Sequence, residues 1–292
     1  NGGNLAAICV FAARGVAPGR RPIGLDARFI RSFRPGLARV VPTVLNAGRT
    51  LTTVSVDIFT ADDKLATRGT VGLVALDALA EFDADAASGQ DESLMSYEDG
   101  KPWRHPSEKY RIPLIDTFAP RYLGKSDGAI ATGSKIIWDD PDASIEAACV
   151  AADISVGPPV SIQLKGKPLA IPNPDLSLRF TANNSDVGHL VSTCRLESLT
   201  GGLATTSLEV RAGDDLLAVG IATVITVVKS VEALNSGISA ALPISIATRG
   251  LGAVATALIL AIGLHRFADT EQEEEACFGP YVPTKTTTGI GG

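Results

Sequence analysis

Two stretches of this chain align on each other without a gap. Residues 50–73 (TLTTVSVDIFTADDKLATRGTVGL) lie over residues 202–225 (GLATTSLEVRAGDDLLAVGIATVI) at a constant offset of 152. Leu51/Leu203, Thr53/Thr205, Ser55/Ser207, Asp62/Asp214, Asp63/Asp215, Leu65/Leu217 and Ala66/Ala218 are identical. Each copy reads as a strand, an acidic turn and a second strand, because apolar side chains alternate on both sides of the Asp-Asp pair. Upstream, Ala7, Cys9, Val10 and Ala12 recur as Ala147, Cys149, Val150 and Ala152 at an offset of 140. A unit of helix, loop, strand, turn and strand therefore occurs twice. Two copies of this size predict a fused pseudo-dimer, since a solenoid needs at least three short repeats to bury a core.

Composition narrows what such a chain can do. At 292 residues, 45% hydrophobic and 20% charged, it has the make-up of a soluble globular protein with a substantial core. The net charge of −6 provides no basic field, and no zinc-finger spacing or basic aromatic patch is present, so a nucleic-acid partner is not expected. Cys9, Cys149, Cys194 and Cys277 are widely separated, and two of them sit in apolar helical stretches. Buried, reduced thiols are the expectation, which favours a reducing, cytoplasmic compartment. The run Leu251–Leu264 is apolar for fourteen residues. A span needs about 20, so a buried helix is expected there and no membrane partner.

Asn1–Arg14 (NGGNLAAICVFAAR) reads as a helix apolar on every side, which other structure must wrap. Strands are expected over Ile23–Phe33, Val40–Asn46, Thr50–Thr60 and Lys64–Leu76, giving a helix followed by an antiparallel meander, an α+β pattern. Residues 81–140 differ in character, with the acidic run Asp83–Ser93 and the polar Glu98–Arg111. They read as a linker carrying one element around Arg111–Arg121. A second apolar helix, Asp142–Ala152, is expected to end at Pro158-Pro159, and Leu176–Val228 gives the second meander. Ser230–Phe267 reads as an apolar helix, Asp269–Glu275 as a solvated acidic run and Lys285–Gly292 as a disordered end.

A long buried helix followed by a curved antiparallel sheet, present twice, resembles the double hot-dog fold. Asn1-Gly2-Gly3 at the head of an Ala-rich helix, Phe29–Gly36 (FIRSFRPG), Ala47–Thr50 (AGRT) and the Val54–Ala66 strand pair look like acyl-CoA thioesterases of the thioesterase II type. Ala151-Ala152-Asp153, Pro158-Pro159 and Pro174-Asp175-Leu176 look like that family's second repeat, so the resemblance covers about residues 1–228. It implies an N-terminal hot-dog repeat over 1–80, a linker over 81–140, a C-terminal repeat over 141–229 and an extension over 230–292. A hot-dog unit carries a strand before its central helix. The first sheet is therefore expected to need one, either from upstream of Asn1 or from part of Ser230–Tyr281.

Thioester hydrolysis needs an activated water and donors for the carbonyl oxygen as it turns anionic. The resemblance assigns the first role to Asp153, at the end of the second central helix. Its counterpart in the first copy is Ala13, so one site per chain is expected. Gly2 and Gly3 are assigned the oxyanion donors, since amides at a helix N-terminus are unpaired and sit at the positive end of its dipole. Asn173 falls where the family has a hydroxyl residue that holds the water, and an amide can still donate and accept. Ala222 falls where the family has a glutamine, which alanine cannot replace. Asn1, Arg28, Arg34 and Arg49 are the candidates for substrate binding, the arginines toward coenzyme A phosphates.

No G-x-S-x-G elbow, H-E-x-x-H, Walker loop or strand-linked G-x-G-x-x-G is present, and His105, His189 and His265 are scattered. Neither a metal nor a cofactor is expected. The expected activity is hydrolysis of an acyl-CoA or acyl-carrier thioester. The rivals are a hot-dog dehydratase, acyltransferase or cyclase, and a non-catalytic acyl-binding protein. Self-association into a homo-oligomer stays open.

Overall fold

The structure, a computed structural model, describes residues 2–33, 36–80, 93–103, 113–135, 143–164, 169–181 and 188–228. Readings made above for 230–292 lie outside the described residues, as do Asn1, Arg34 and Cys277.

The chain opens with helix α1 (Gly2–Val16), followed by strands β1 (Arg21–Phe29), β2 (Arg39–Ala47), β3 (Leu51–Phe59) and β4 (Leu65–Val74). After a short strand β5 (Lys101–Pro102) and helix α2 (Pro113–Phe118) come β6 (Arg121–Ser126) and β7 (Ala129–Lys135). Helix α3 (Ser144–Gln163) then leads through β8 (Leu169–Ala170) to β9 (Asp175–Phe180), β10 (His189–Thr200), β11 (Leu203–Ala212), β12 (Asp215–Ile225) and β13 (Val227–Val228). Eleven strands form one antiparallel sheet in the order β2-β3-β4-β1-β9-β12-β11-β10-β7-β6-β5, and β8 pairs with β13 apart from it.

The sheet is joined at its middle by β1 and β9, from Gly24 opposite Arg179 to Arg28 opposite Asp175. On either side of that seam the strands follow in the same order, β1-β4-β3-β2 and β9-β12-β11-β10. Irregularities also correspond: β2 breaks register between Val44 and Asn46, and β10 between Leu196 and Ser198, 152 residues later. The hairpins do differ by one residue. Thr60 closes on Lys64 around a three-residue turn with Asp63 at φ +60°, whereas Ala212 closes on Asp215 around two residues with Gly213 at φ +59°. Beyond the turn the offset is therefore 151: Ser55 faces Thr70, and Ser207 faces Ile221. The identities Leu65/Leu217 and Ala66/Ala218 thus do not occupy matching places, and Val71 corresponds to Ala222.

The core forms where the two long helices meet the sheet. Leu5, Ala6, Cys9, Val10 and Ala13 of α1 pack with Leu25, Val54, Val56, Ile58, Val71 and Leu73 of the first four strands. Ala148, Val150, Val156 and Val160 of α3 pack with Leu176, Leu178, Leu190, Val210 and Val224. Removing each of the valine, leucine and isoleucine side chains from water contributes roughly 1.5–3 kcal/mol. The small residues of α1 permit close approach; a Cβ on Gly69 of β4 would lie 2.8 Å from Cys9 Sγ. By length and hydropathy α3 could cross a membrane, but 78% of its apolar window is buried inside the protein, as a core helix requires.

Two sequence expectations need correction. Residues 101–135, read as part of a linker, supply β5, β6 and β7, which extend the sheet from β10. Every residue from Ala129 to Ser134 is buried, so no period-2 pattern betrayed the strand. One face meets α3, and the other is covered by Leu94, Leu123 and Tyr97. The second correction concerns α3, which runs through Pro158 and Pro159 to Gln163. Gly157 has no Cβ to clash with the proline ring that follows, and Val156, Val160 and Leu164 continue the buried face. Asp153 therefore lies within α3 and not at its end.

Candidate functional site

The start of α1 is pressed against the middle of α3. A Cβ on Gly3 would lie 2.8 Å from Val150 Cα and 2.9 Å from Asp153 Cβ, so only glycine lets the helices meet there. A Cβ on Gly2 would lie 2.8 Å from Asp153 Oδ1 and 2.6 Å from Phe29 Cε2. The first two residues of α1 thus bring helix-terminal amides, which have no partner within the helix, beside a carboxylate, with an aromatic ring closing one side.

Asn173 completes the group from a third part of the chain. Its Nδ2 donates to Asp153 Oδ1 at 2.8 Å. Its Oδ1 is buried and has no hydrogen-bond partner among the described residues. Asp153, Asn173 and Phe29 are half-buried, and Gly3 is fully buried. The Asn173 segment is held from both sides by backbone bonds: Phe29 N–H donates to Pro174 O at 2.8 Å and Ile225 N–H to Pro172 O at 2.9 Å. Ala222, on β12, is 3% exposed, and its carbonyl accepts from the Thr206 hydroxyl at 3.1 Å.

The arginines assigned to substrate do not gather at this point. Arg28 lies on the outer face of β1, 71% exposed, in an ion pair with Asp175. Arg49 is exposed in the β2–β3 turn, where its carbonyl accepts from Arg20, a residue that follows the far end of α1. Asn1 and Arg34 fall outside the described residues. Of the candidates, Gly2, Gly3, Asp153 and Asn173 converge. Phe29 and Asp175 join them from motifs quoted above without a role, and nothing in their local sequence distinguishes them.

The neighbouring thiols are not nucleophiles. Burial pushes the Cys149 thiol well above its ordinary value, with Glu146 adding to the effect, and raises Cys9 to about 12. Both stay protonated at neutral pH. At the opposite end of the helix pair, Arg14 Nη1 binds Glu146 Oε1 at 2.9 Å, with the glutamate side chain only 4% exposed. Among the described residues, no three His, Cys, Asp or Glu side chains lie close enough together to hold a metal ion.

Residues 1–75 match the family model described as the acyl-CoA thioesterase N-terminal domain. No curated protein matches the chain. Three of the solved structures that match it illustrate the shared fold. A tesB protein from Mycobacterium avium subspecies paratuberculosis is 17% identical, with a TM-score of 0.58 over 77% of this chain and 86% of that one. An acyl-CoA thioesterase II from Mycobacterium marinum is 14% identical, with a TM-score of 0.56 over 78% and 91%. A hot-dog protein of unknown function from Alicyclobacillus acidocaldarius is 18% identical, with a TM-score of 0.61 over 78% and 88%. The fold is therefore a hot-dog α+β fold, and the match over residues 1–75 bears out the resemblance to the acyl-CoA thioesterase family there.

Proposed function

We propose that this chain is two fused hot-dog units sharing one site, and that the site hydrolyses acyl-CoA or acyl-carrier thioesters. The equal strand orders about the β1–β9 seam and the matched irregularities at Leu45 and Glu197 support the duplication. The hydrolase reading is carried by one observation: Gly2, Gly3, Asp153 and Asn173, distant in sequence, meet at one end of the helix pair.

The chemistry follows from that arrangement. Water attacks the thioester carbon and gives its proton to Asp153, whose carboxylate is held in place by the Asn173 amide. The free Oδ1 of Asn173 accepts the water's second hydrogen and so fixes its orientation. Amides at the start of α1 stabilise the carbonyl oxygen as it becomes anionic. Collapse breaks the C–S bond, and the thiolate leaves and takes up the proton. The buried free thiols Cys9, Cys149 and Cys194 fit a cytoplasmic setting.

The test is release of free thiol from acetyl-, octanoyl- and palmitoyl-CoA by the full chain, with Asp153→Asn as the diagnostic variant. Turnover in the parent and its loss in the variant support the reading. Turnover by Asp153→Asn within a few-fold of the parent overturns it. A non-catalytic acyl-binding protein is favoured by Ala222, whose methyl offers no polar atom. Saturable binding of acyl-CoA without thiol release by the parent selects it.

A further inference from the structure

Asp175 stands two residues beyond Asn173, where β9 begins, and ties together three strands. Its Oδ1 accepts the Thr223 backbone N–H at 2.7 Å, from β12. Its Oδ2 accepts from Arg28, on β1. The side chain is 18% exposed although it begins an outer-face strand. Between Asp175 and Asn173 lies Pro174, whose ring fixes its own φ and restricts the residue before it. Whatever fixes Asp175 therefore fixes the direction in which Asn173 leaves the sheet. Pro174 O accepts from Phe29 N–H, and Phe29 is the residue after Arg28 and the ring against Gly2.

We propose that Asp175 is a positioning residue for the reaction: by holding Thr223 N–H and Arg28 together, it sets where the Asn173 amide meets Asp153. The inference rests on the hydrolase reading of that same site. Asp175 touches neither substrate nor water. It acts through Asn173, and it gives the exposed Arg28 a place in the seam between the two halves. The Thr223 bond is the stronger part, because a backbone donor is fixed in place while Arg28 is largely in solvent.

The experiment is steady-state thiol release from octanoyl-CoA by the full chain, joined to amide hydrogen exchange. Asp175→Ala is expected to lower kcat about tenfold with KM within about twofold, since a small displacement of an orienting group reduces turnover without weakening binding. Asp175→Asn keeps an oxygen for Thr223 N–H and is expected to restore kcat to within about threefold of the parent. Asp57→Asn breaks the comparable pair with Arg68 away from the Asn173 segment and leaves turnover unchanged. In the Asn173→Ala background, Asp175→Ala is expected to cost almost nothing further, because the group it positions is gone. Thr223 N–H should exchange faster in Asp175→Ala and remain protected in Asp175→Asn.

Losses that multiply in the double variant overturn the proposal. So does a kcat for Asp175→Ala within about twofold of the parent, or a rise in KM at unchanged kcat. A parent that releases no thiol overturns the hydrolase reading alone, and the exchange of Thr223 N–H then decides the clamp by itself.

Discussion

The two ends of the α1–α3 pair are made of the same materials and do different things. At one end the first turn of α1 meets a carboxylate in the middle of α3, and that carboxylate is held by an amide, Asn173. At the other end the last turn of α1 meets a carboxylate in the first turn of α3, and that one is held by a guanidinium, Arg14. An amide fixes the orientation of an acid while leaving it able to take a proton. A guanidinium stabilises the ionised form and commits it to structure. The difference between these partners supports the proposed division, in which Asp153 serves the chemistry and Glu146 the packing. Neither half of the chain holds both parts of the Asp153 end: α1 supplies the glycines, while α3 and the segment before β9 supply the acid and the amide.

The largest expected effect breaks the chemical end. Asp153→Asn keeps shape and hydrogen bonding but cannot take a proton, so thiol release falls by roughly two to four orders of magnitude. The thermal midpoint stays close to that of the parent, and Asp62→Asn, in the exposed β3–β4 turn, changes neither. Next comes Gly3→Ala. Its methyl group would lie 2.8 Å from Val150 Cα, a backbone atom that cannot swing away. The helices must separate, at about 1–3 kcal/mol, and urea unfolding should register the loss along with reduced turnover.

Glu146→Gln tests the structural end. Because Arg14 is 30% exposed, its stranded charge can reach water. The cost should be about 1 kcal/mol rather than the 3–5 of a fully enclosed pair. Turnover per folded molecule is expected to be unchanged; a large loss of kcat would end the division of labour between the two ends.

A further effect, confined to alkaline solution, is one of pH. Burial raises Cys9 and Cys194 to about 12 in the folded chain, whereas an unfolded thiol ionises near about 8.5. Between those values the native state binds more protons than the unfolded one. Stability is therefore flat below the lower value and declines as pH rises toward the upper. Urea midpoints measured across that window should decline less steeply for Cys194→Ala than for the parent.

Much of this was legible in the sequence. Helix α1 and the first four strands follow from an all-apolar helix and clear alternation, and the offset of 152 holds through β2 and β3. It fails by one residue beyond the turn, because Asp63 and Gly213 reach positive φ in turns of different length, and a gapless alignment cannot register an inserted loop residue. Strand β7 was hidden because burial on both faces erases alternation, and the tail of α3 because Gly157 softens the prolines. The order of short motifs along the chain picked out Gly2, Gly3, Asp153 and Asn173, which the fold brings together. Arg28 was misleading. An arginine beside a turn looks the same in sequence whether it faces a phosphate or Asp175, and only the β1–β9 register brings that partner to it.

That register also governs how the molecule comes apart. β1 is bonded on one side to β4 and on the other to β9, and the helices behind them share one continuous core. Separating the halves would strip a backbone ladder of its partners and expose the apolar faces of α1 and α3 in the same event. The two halves are therefore expected to unfold as one cooperative unit, in a single transition by every probe. A chain whose sequence suggests two bodies has one core to lose.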